Sequence, residues 1–250
     1  MRAWFLCCLG VASHILIDCT NTYGVRLLLP FSSRWFSLDL NSLYDGWILA
    51  ALTFAAFWPI FSGLVSSEIG SLSTAGRGSA LFALAFFVLF DLGRAVLHHR
   101  AISQLEVRLY QNEPPLHTAA LPQPFNPFQW VGLVETSNQY RLSTVNTLAE
   151  FDPQQATIFY KGPERQSLEN AKRTEPFRYF LYFARYPVWS EMPIALEGEQ
   201  GTKIDLTDLR FGTPWAGSFH CFAIEDTRKE VVRAWFSYGS ESDPRSSQTP

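Results

Sequence analysis

Hydrophobic and polar positions divide the chain into two unlike parts that meet near residue 100. Before that point long apolar runs are separated by short polar segments, whereas after it apolar and polar residues alternate over short distances. A helix needs about 20 predominantly apolar residues to cross a bilayer. The apolar runs therefore predict membrane spans near residues 3–20, 47–65 and 79–97.

The second run gives the clearest span. Trp47–Val65 contains no charged residue, and as a helix it would be about 28 Å long, close to the thickness of the hydrocarbon layer. A buried helix of a soluble core is the alternative, which the length of the run disfavours. In the third run, Ser79–Leu97, Asp91 and Arg94 are spaced so that they can pair on one helix face. An acidic residue inside a membrane is also a functional candidate, so both interpretations of Asp91 stay open.

The first run, Ala3–Ile17, is shorter and ends at Asp18. It resembles a signal peptide preceded by Arg2. However, His14 interrupts the apolar region and no A-x-A cleavage site follows, so we interpret the run as a short membrane helix. The segment 21–46 that follows is rich in aromatic residues, which suit the headgroup layer. We expect it to be a folded or partly re-entrant cap on the helices.

Residues 101–238 have the pattern of a soluble α+β domain with a mainly antiparallel sheet. Phe177, Phe180, Leu181 and Ala184 follow the helical period. Alternating runs predict strands at Val131–Glu135, Tyr140–Asn146, Thr157–Tyr160, Lys203–Phe211, Phe219–Ile224 and Val231–Phe236. Residues 239–250 are polar and predicted to be a disordered tail.

Composition agrees with this division. The 250 residues carry a net charge of −3 and a mean hydropathy of +0.00, but the first hundred residues contain only six basic and five acidic side chains. The charge argues against a nucleic-acid partner and leaves membrane lipid as the expected one. Cys7, Cys8 and Cys19 lie in or beside the first helix and Cys221 is alone, so neither a disulfide framework nor a zinc finger is predicted.

Arginine placement predicts the orientation of this multi-pass protein in its membrane. With three spans, the segment 21–46 and the C-terminal domain lie on one side. Positively charged residues near the membrane favour the cytoplasm, which predicts a cytoplasmic C-terminal domain. The arginines on that side are Arg26, Arg34, Arg94 and Arg100, against Arg2 and Arg77 on the other.

His14 and Asp18 form the sharpest chemical pattern. At i and i+4 their side chains leave the same helix face, and imidazole and carboxylate are both ligands of zinc or a related divalent ion. The alternative is a hydrogen-bonded pair that closes the helix end. A catalytic zinc site usually has three protein ligands, and Asp45 is the best-placed third candidate, although it also suits an N-cap. Weaker candidates are Asp39, His98 and His99.

The stretch Ser13–Trp47 resembles the membrane-bound metal-dependent hydrolase family of YdjM-like, LexA-regulated inner-membrane proteins. The family shows H-x-x-x-D, then N-T-Y-G, an Arg, a P-F-S segment with Arg-Trp, and an Asp before the next span. The resemblance is dense over residues 13–47 and thin after residue 100, where Asn126–Trp130 resembles the soluble tail of longer members. The matching positions are His14, Asp18, Asn21–Gly24, Arg26, Pro30–Ser32, Arg34–Trp35 and Asp45–Trp47.

This resemblance implies a protein of the bacterial inner membrane and a hydrolase in which His14, Asp18 and Asp45 bind a divalent ion such as zinc. Family members begin with a further membrane portion that bears more His and Asp residues, so this chain is expected to lack part of the site. The ion would activate water against a phosphoester or lipid-linked substrate, and the catalytic base stays unassigned.

Other functions remain open from the residues alone. Arg26 and Arg34 suit either an anionic group such as a lipid phosphate or interfacial anchoring of their segment. A non-catalytic membrane anchor that presents a soluble interaction domain is the alternative to an enzyme. A transporter fragment with proton sites at Asp18 and Asp91 is weaker. His117 and His220 have no evident partners and are predicted to have core or surface roles.

Overall fold

The computed structural model describes residues 2–69, 75–163, 165–196, 199–217 and 219–238. The chain forms two compact units, Met1–Ile158 and Phe159–Pro250. The division predicted near residue 100 is a different one, between a membrane part and a soluble part, and it stays a prediction. The predicted disordered tail, 239–250, lies outside the described residues.

Long apolar helices dominate the first unit. They are α1 (Arg2–Thr20), α2 (Gly46–Ile69) and α3 (Ala75–Glu106). Within them Ala3–Thr20, Gly46–Val65 and Gly76–Glu106 are long and apolar enough to cross a membrane. The α-helical membrane region predicted from the apolar runs is therefore confirmed as a fold class.

Helix α3 continues past its predicted end at Leu97 because its last turns bury side chains against a sheet. That antiparallel sheet has the order β1-β2-β3-β4, formed by His117–Pro122, Gln129–Glu135, Gln139–Asn146 and Thr157–Tyr160. Ala101 and Leu105 of α3 share a core with Trp130, and all three are fully buried. At Gly132 an added Cβ would lie 3.0 Å from Leu105 Cδ2, so the glycine permits the close approach of α3.

The second unit packs two short helices on another antiparallel sheet. The helices are α4 (Gln166–Lys172) and α5 (Glu175–Phe183), and a 3₁₀ turn spans Leu209–Phe211. The strands, paired in chain order, are β5 (Pro187–Leu196), β6 (Glu199–Asp208), β7 (Phe219–Glu225) and β8 (Val231–Tyr238). Together with the first sheet they confirm the α+β class with antiparallel strands.

The core of this second unit contains the isolated cysteine. Leu168, Phe177 and Phe180 of the helices cluster with Cys221 of β7. Burial raises the pKa of the Cys221 thiol, and the nearby Asp205 carboxylate adds to the rise. A thiol in that environment stays protonated at neutral pH and is chemically inert, so Cys221 is a packing residue.

The structure differs from the sequence prediction in the number of sheets and in one strand end. Two four-stranded sheets replace the single sheet that was expected. The predicted strand Lys203–Phe211 stops at Asp208, because the Asp208 side chain accepts a hydrogen bond from Arg210 N and caps the 3₁₀ turn. Strand β5 was missed because Pro187 and Pro193 argue against a central strand, whereas β5 lies at an edge, where proline is tolerated.

Candidate functional site

The segment 21–45 is folded against the end of α1. Leu38 N donates to Cys19 O, and Leu40 N donates to Thr20 O, each at 2.8 Å. Asn21 Oδ1 accepts hydrogen bonds from the backbone N–H groups of Tyr23 and Gly24, which makes a local turn. The segment is therefore folded, as predicted, and it brings polar groups over the helix ends.

A buried amide connects this segment to two helices. Asn41, only 3% exposed, donates through Nδ2 to Thr20 Oγ1 at 3.1 Å and to Asp91 Oδ1 at 2.7 Å. Asp91 thus takes its hydrogen bond from Asn41, and Arg94, the partner considered from spacing, interacts with it through charge. Sequence reasoning missed Asn41, which gives no local signal because it is 50 positions from Asp91.

Arg94 is 1% exposed and donates hydrogen bonds to two backbone carbonyls. Its Nε donates to Leu40 O at 2.8 Å and its Nη1 donates to Pro127 O at 2.6 Å. Its Cζ lies 4.0 Å from the centroid of the Trp130 ring, a cation–π contact. Arg94 therefore ties the segment 21–45 and the β1–β2 loop to α3.

The predicted His14–Asp18 pair forms. His14 Nε2 lies 3.3 Å from Asp18 Oδ2, with the side chains 77% and 36% exposed. Asp45 is buried, and its Oδ1 accepts from Trp47 N at 3.0 Å and from Ile48 N at 3.3 Å. Asp45 thus caps the start of α2, which is one of the two roles that the sequence left open.

Asp18 and Asp45 face a common cavity of about 270 Å³ between the end of α1 and the start of α2. This α1–α2 cavity is not lined by His14, nor by the weaker ligand candidates. Asp39 accepts a hydrogen bond from Ser37 Oγ, and His98 packs edge-on against the Trp130 ring at 5.3 Å. The structure therefore brings together two of the three predicted ligands at the cavity and pairs the third with Asp18.

The side chains are of the types that bind a divalent ion, but fewer than three of the described ones lie close together. Imidazole nitrogen and carboxylate oxygen are the ligand types that zinc takes, and His14 and Asp18 are adjacent. Within the described ranges no three His, Cys, Asp or Glu side chains form a group that could hold a metal. The assignment of His14, Asp18 and Asp45 as metal ligands stays a prediction.

The arginines of the segment lie over aromatic rings. Arg26 Cζ is 5.1 Å from the Trp35 ring centroid and Arg34 Cζ is 5.4 Å from that of Phe36. Neither arginine lines the α1–α2 cavity. These contacts suit the interfacial anchoring that was one of the two interpretations, and an anion-binding role of Arg26 and Arg34 stays a prediction.

Both histidines of the strands have carboxylate partners that sequence reasoning did not identify. His117 Nδ1 lies 3.0 Å from Glu135 Oε2 on the neighbouring strand, and His220 Nδ1 lies 2.9 Å from Asp205 Oδ1. The His220 pair is buried and its ring stacks on Phe222 at 5.4 Å. Cross-strand register could have predicted the first pair, since His117 faces Glu135 directly.

Long apolar helices closed by a buried polar network at one end characterise a membrane protein, and comparison with known proteins agrees. Residues 1–101 match the family described as YdjM inner membrane protein. The sequence is also 32% identical over 59 residues to the uncharacterized protein YfhP of Bacillus subtilis (strain 168), a match that covers 23% of this chain and only 18% of YfhP. No solved structure matches the chain. The resemblance to YdjM-like inner-membrane proteins is thus confirmed over residues 1–101.

Proposed function

We propose that this membrane protein is a metal-dependent hydrolase whose site includes the end of α1. The observation that carries the proposal is the His14–Asp18 pair, two adjacent donors 3.3 Å apart within the region that matches the YdjM family. Asp45 faces the same cavity as Asp18. We propose zinc or a related divalent ion as the cofactor.

In this proposal each residue has a defined task. His14 and Asp18 would hold the ion from one helix face, and Asp45 would offer Oδ2, because both of its hydrogen bonds within the described residues use Oδ1; the three side chains do not form a ligand group in this structure. A bound divalent ion would supply a water of lowered pKa, suited to a phosphoester or lipid-linked substrate at the membrane surface. Three ligands are the usual minimum for such an ion.

Metal analysis of the purified full chain tests the proposal. We expect about one divalent ion per chain in the wild type and at least a tenfold lower occupancy at equal free metal in His14→Ala and Asp18→Ala, since outright loss of a ligand costs more than the 10- to 100-fold lost with a supporting residue. His117→Ala is the matched control, because His117 also pairs with a carboxylate but lies on β1. Unchanged metal content in both α1 variants would refute the proposal.

A non-catalytic membrane anchor is the second candidate function. It is favoured by the same finding that limits the first, namely that the described part of the chain holds no group of three metal-binding side chains. It also agrees with the contacts of Arg94, which join the segment 21–45 and the β1–β2 loop to α3 and so have a structural role. Hydrolysis of bis(p-nitrophenyl) phosphate by the metal-loaded chain would favour the enzyme over the anchor.

We further propose that the chain spans the membrane three times with residues after α3 in the cytoplasm. At the start of α2, Gly46 N donates to Pro124 O at 2.9 Å and Trp47 Nε1 donates to Phe125 O at 3.1 Å. These bonds support a common side for the segment 21–45 and the β1–β2 loop, and the arginines near that side favour the cytoplasm.

Reporter fusions test this orientation. Green fluorescent protein fused to the C-terminus is expected to be fluorescent, because it folds in the cytoplasm. Alkaline phosphatase at the same position is expected to be inactive, because its disulfides do not form there. An active phosphatase together with a dark fluorescent protein would place the C-terminal region on the opposite side.

A further inference from the structure

The α1–α2 cavity has a polar side and an apolar side. Asp18, Asn41 and Asp45 contribute polar groups, whereas Leu49 and Leu52 of α2 contribute apolar ones. Leu49 is 64% and Leu52 is 49% exposed, and both belong to the candidate span Gly46–Val65. A ligand that occupies this cavity therefore meets polar groups at one end and the hydrocarbon layer at the other.

The charge of the polar side determines whether a cationic or an anionic group is favoured in the cavity. Asp18 and Asp45 are both acidic, and none of the described residues that line the cavity is basic. Asp45 uses Oδ1 for both cap bonds, so Oδ2 has no hydrogen-bond partner among the described residues. The cavity favours a cationic group over a phosphate, because like charges repel in a partly buried site.

Asn41 supplies an independent indication. Asn41 lines the cavity and is 97% buried. Its Oδ1 is buried too and has no hydrogen-bond partner among the described groups. Both Nδ2 hydrogens are already used on Thr20 and Asp91. A buried acceptor without a donor is unfavourable, so the carbonyl oxygen of Asn41 would be stabilised by an N–H or O–H donor, which a ligand can supply.

Size limits the ligand to a small polar head. The cavity volume is about 270 Å³, below the roughly 300–1,000 Å³ of sites that enclose whole small molecules. An ammonium group carries three N–H donors on a single positive charge. The available acceptors are the Asn41 oxygen, the free oxygen of Asp45 and the Asp18 carboxylate, which already contacts His14.

We infer that the α1–α2 cavity binds the primary ammonium headgroup of a membrane aminophospholipid of the phosphatidylethanolamine type. The ammonium donates to Asn41 Oδ1 and to the carboxylates of Asp45 and Asp18, while the acyl chains lie along the exposed leucines of α2. The ammonium uses the Asp18 and Asp45 carboxylates that the proposed function gives to the metal ion, so the inference describes the metal-free chain and goes beyond that function: it requires neither a metal ion nor hydrolysis.

Native mass spectrometry of the detergent-solubilised full chain tests the inference. The chain is mixed, in the presence of EDTA, with equal amounts of dioleoyl phosphatidylethanolamine, phosphatidylcholine and phosphatidylglycerol. Phosphatidylcholine has the same charges but no N–H donors, so we expect about tenfold preferential binding of phosphatidylethanolamine, as for one charge-assisted hydrogen bond. Equal binding of these two lipids, or preference for phosphatidylglycerol, would overturn the inference.

Matched variants locate the binding. Asp45→Asn keeps the helix cap, since Asn caps as well as Asp, and is expected to bring the preference close to one. Asp39→Asn is the control: Asp39 does not line the cavity, and Asn tolerates its φ of +52°. Circular dichroism checks folding, and Asp18→Asn, at a more exposed site, repeats the test. A preference retained in both Asp45→Asn and Asp18→Asn would contradict the assignment.

One further variant separates this inference from the proposed function. His14 is a proposed metal ligand but does not line the cavity, so His14→Ala is expected to lose metal and keep the lipid preference. A wild-type chain that binds no metal but still selects phosphatidylethanolamine would refute only the hydrolase proposal. Lipid binding that appears only after a divalent ion is added would overturn the headgroup assignment in favour of a metal site.

Discussion

Replacement of Arg94 with methionine is expected to lower the free energy of unfolding of the first unit by about 3–5 kcal/mol. Methionine keeps much of the side-chain length but cannot donate to Leu40 O and Pro127 O, which Arg94 binds at 2.8 and 2.6 Å. The bond to Leu40 O is the buried one, and a buried acceptor that loses its donor costs about 1–3 kcal/mol. The cation–π contact with Trp130, at 4.0 Å, contributes about 2 kcal/mol when desolvated.

Unfolding of the detergent-solubilised protein by denaturant, followed by Trp fluorescence, measures this change. Arg100→Met is the matched control, since Arg100 lies six positions further along α3 and is exposed. We expect the control to stay within about 0.5 kcal/mol of the wild type. Similar stabilities for the two variants would mean that the contacts of Arg94 do not hold the segment 21–45 in place.

Asp208→Ala is expected to destabilise the second unit by about 3–5 kcal/mol, because it leaves a buried positive charge without its partner. Asp208 is 0% exposed, and its Oδ2 accepts from Arg185 N and Arg210 Nε, both at 2.9 Å. The Cζ of Arg210 lies beside two aromatic rings, 4.5 Å from the centroid of Phe183 and 4.8 Å from that of Phe211. The Arg210 side chain is only 1% exposed, so water compensates little for the lost carboxylate.

The same unfolding measurement, on the full chain, tests this second prediction. Arg165→Ala is the control because it removes an ion pair of similar length, Arg165 Nη1 to Glu191 Oε2 at 3.0 Å, in which Arg165 is 64% exposed. Exposed pairs contribute about 0–1 kcal/mol. If Asp208→Ala is no more destabilising than Arg165→Ala, the buried Asp208–Arg210 pair does not contribute more to stability than an exposed pair, and the prediction is wrong.

The sequence did not predict the turn that contains Asp208 and Arg210. Asp208 and Arg210 are two positions apart, yet the run that contains them was predicted to continue as a strand to Phe211. A strand would place both side chains on one face without the capping bond that ends β6. The turn was missed because Arg210 is buried there against Phe183 of α5. That contact is between distant residues, so local sequence does not reveal it.

The sequence by itself determined the features that depend on local period and run length. The three apolar helices follow from uninterrupted apolar runs, and the His14–Asp18 contact follows from the helical repeat, because i and i+4 share a face. Strands such as Gln129–Glu135 were anticipated closely for the same reason. The metal prediction also rests on that spacing and on resemblance, but it stays a prediction.

Only the tertiary structure decided how the polar groups at the helix ends are satisfied. Asn41 could not be assigned to Asp91, nor Arg94 to Leu40 and Pro127, because these partners are 33 to 54 positions apart along the chain. A hydrophobic pattern records which residues avoid water, but it does not record which donor meets which acceptor. That pairing is fixed by the cost of burying polar groups unbonded, and this cost arises only when distant segments pack together.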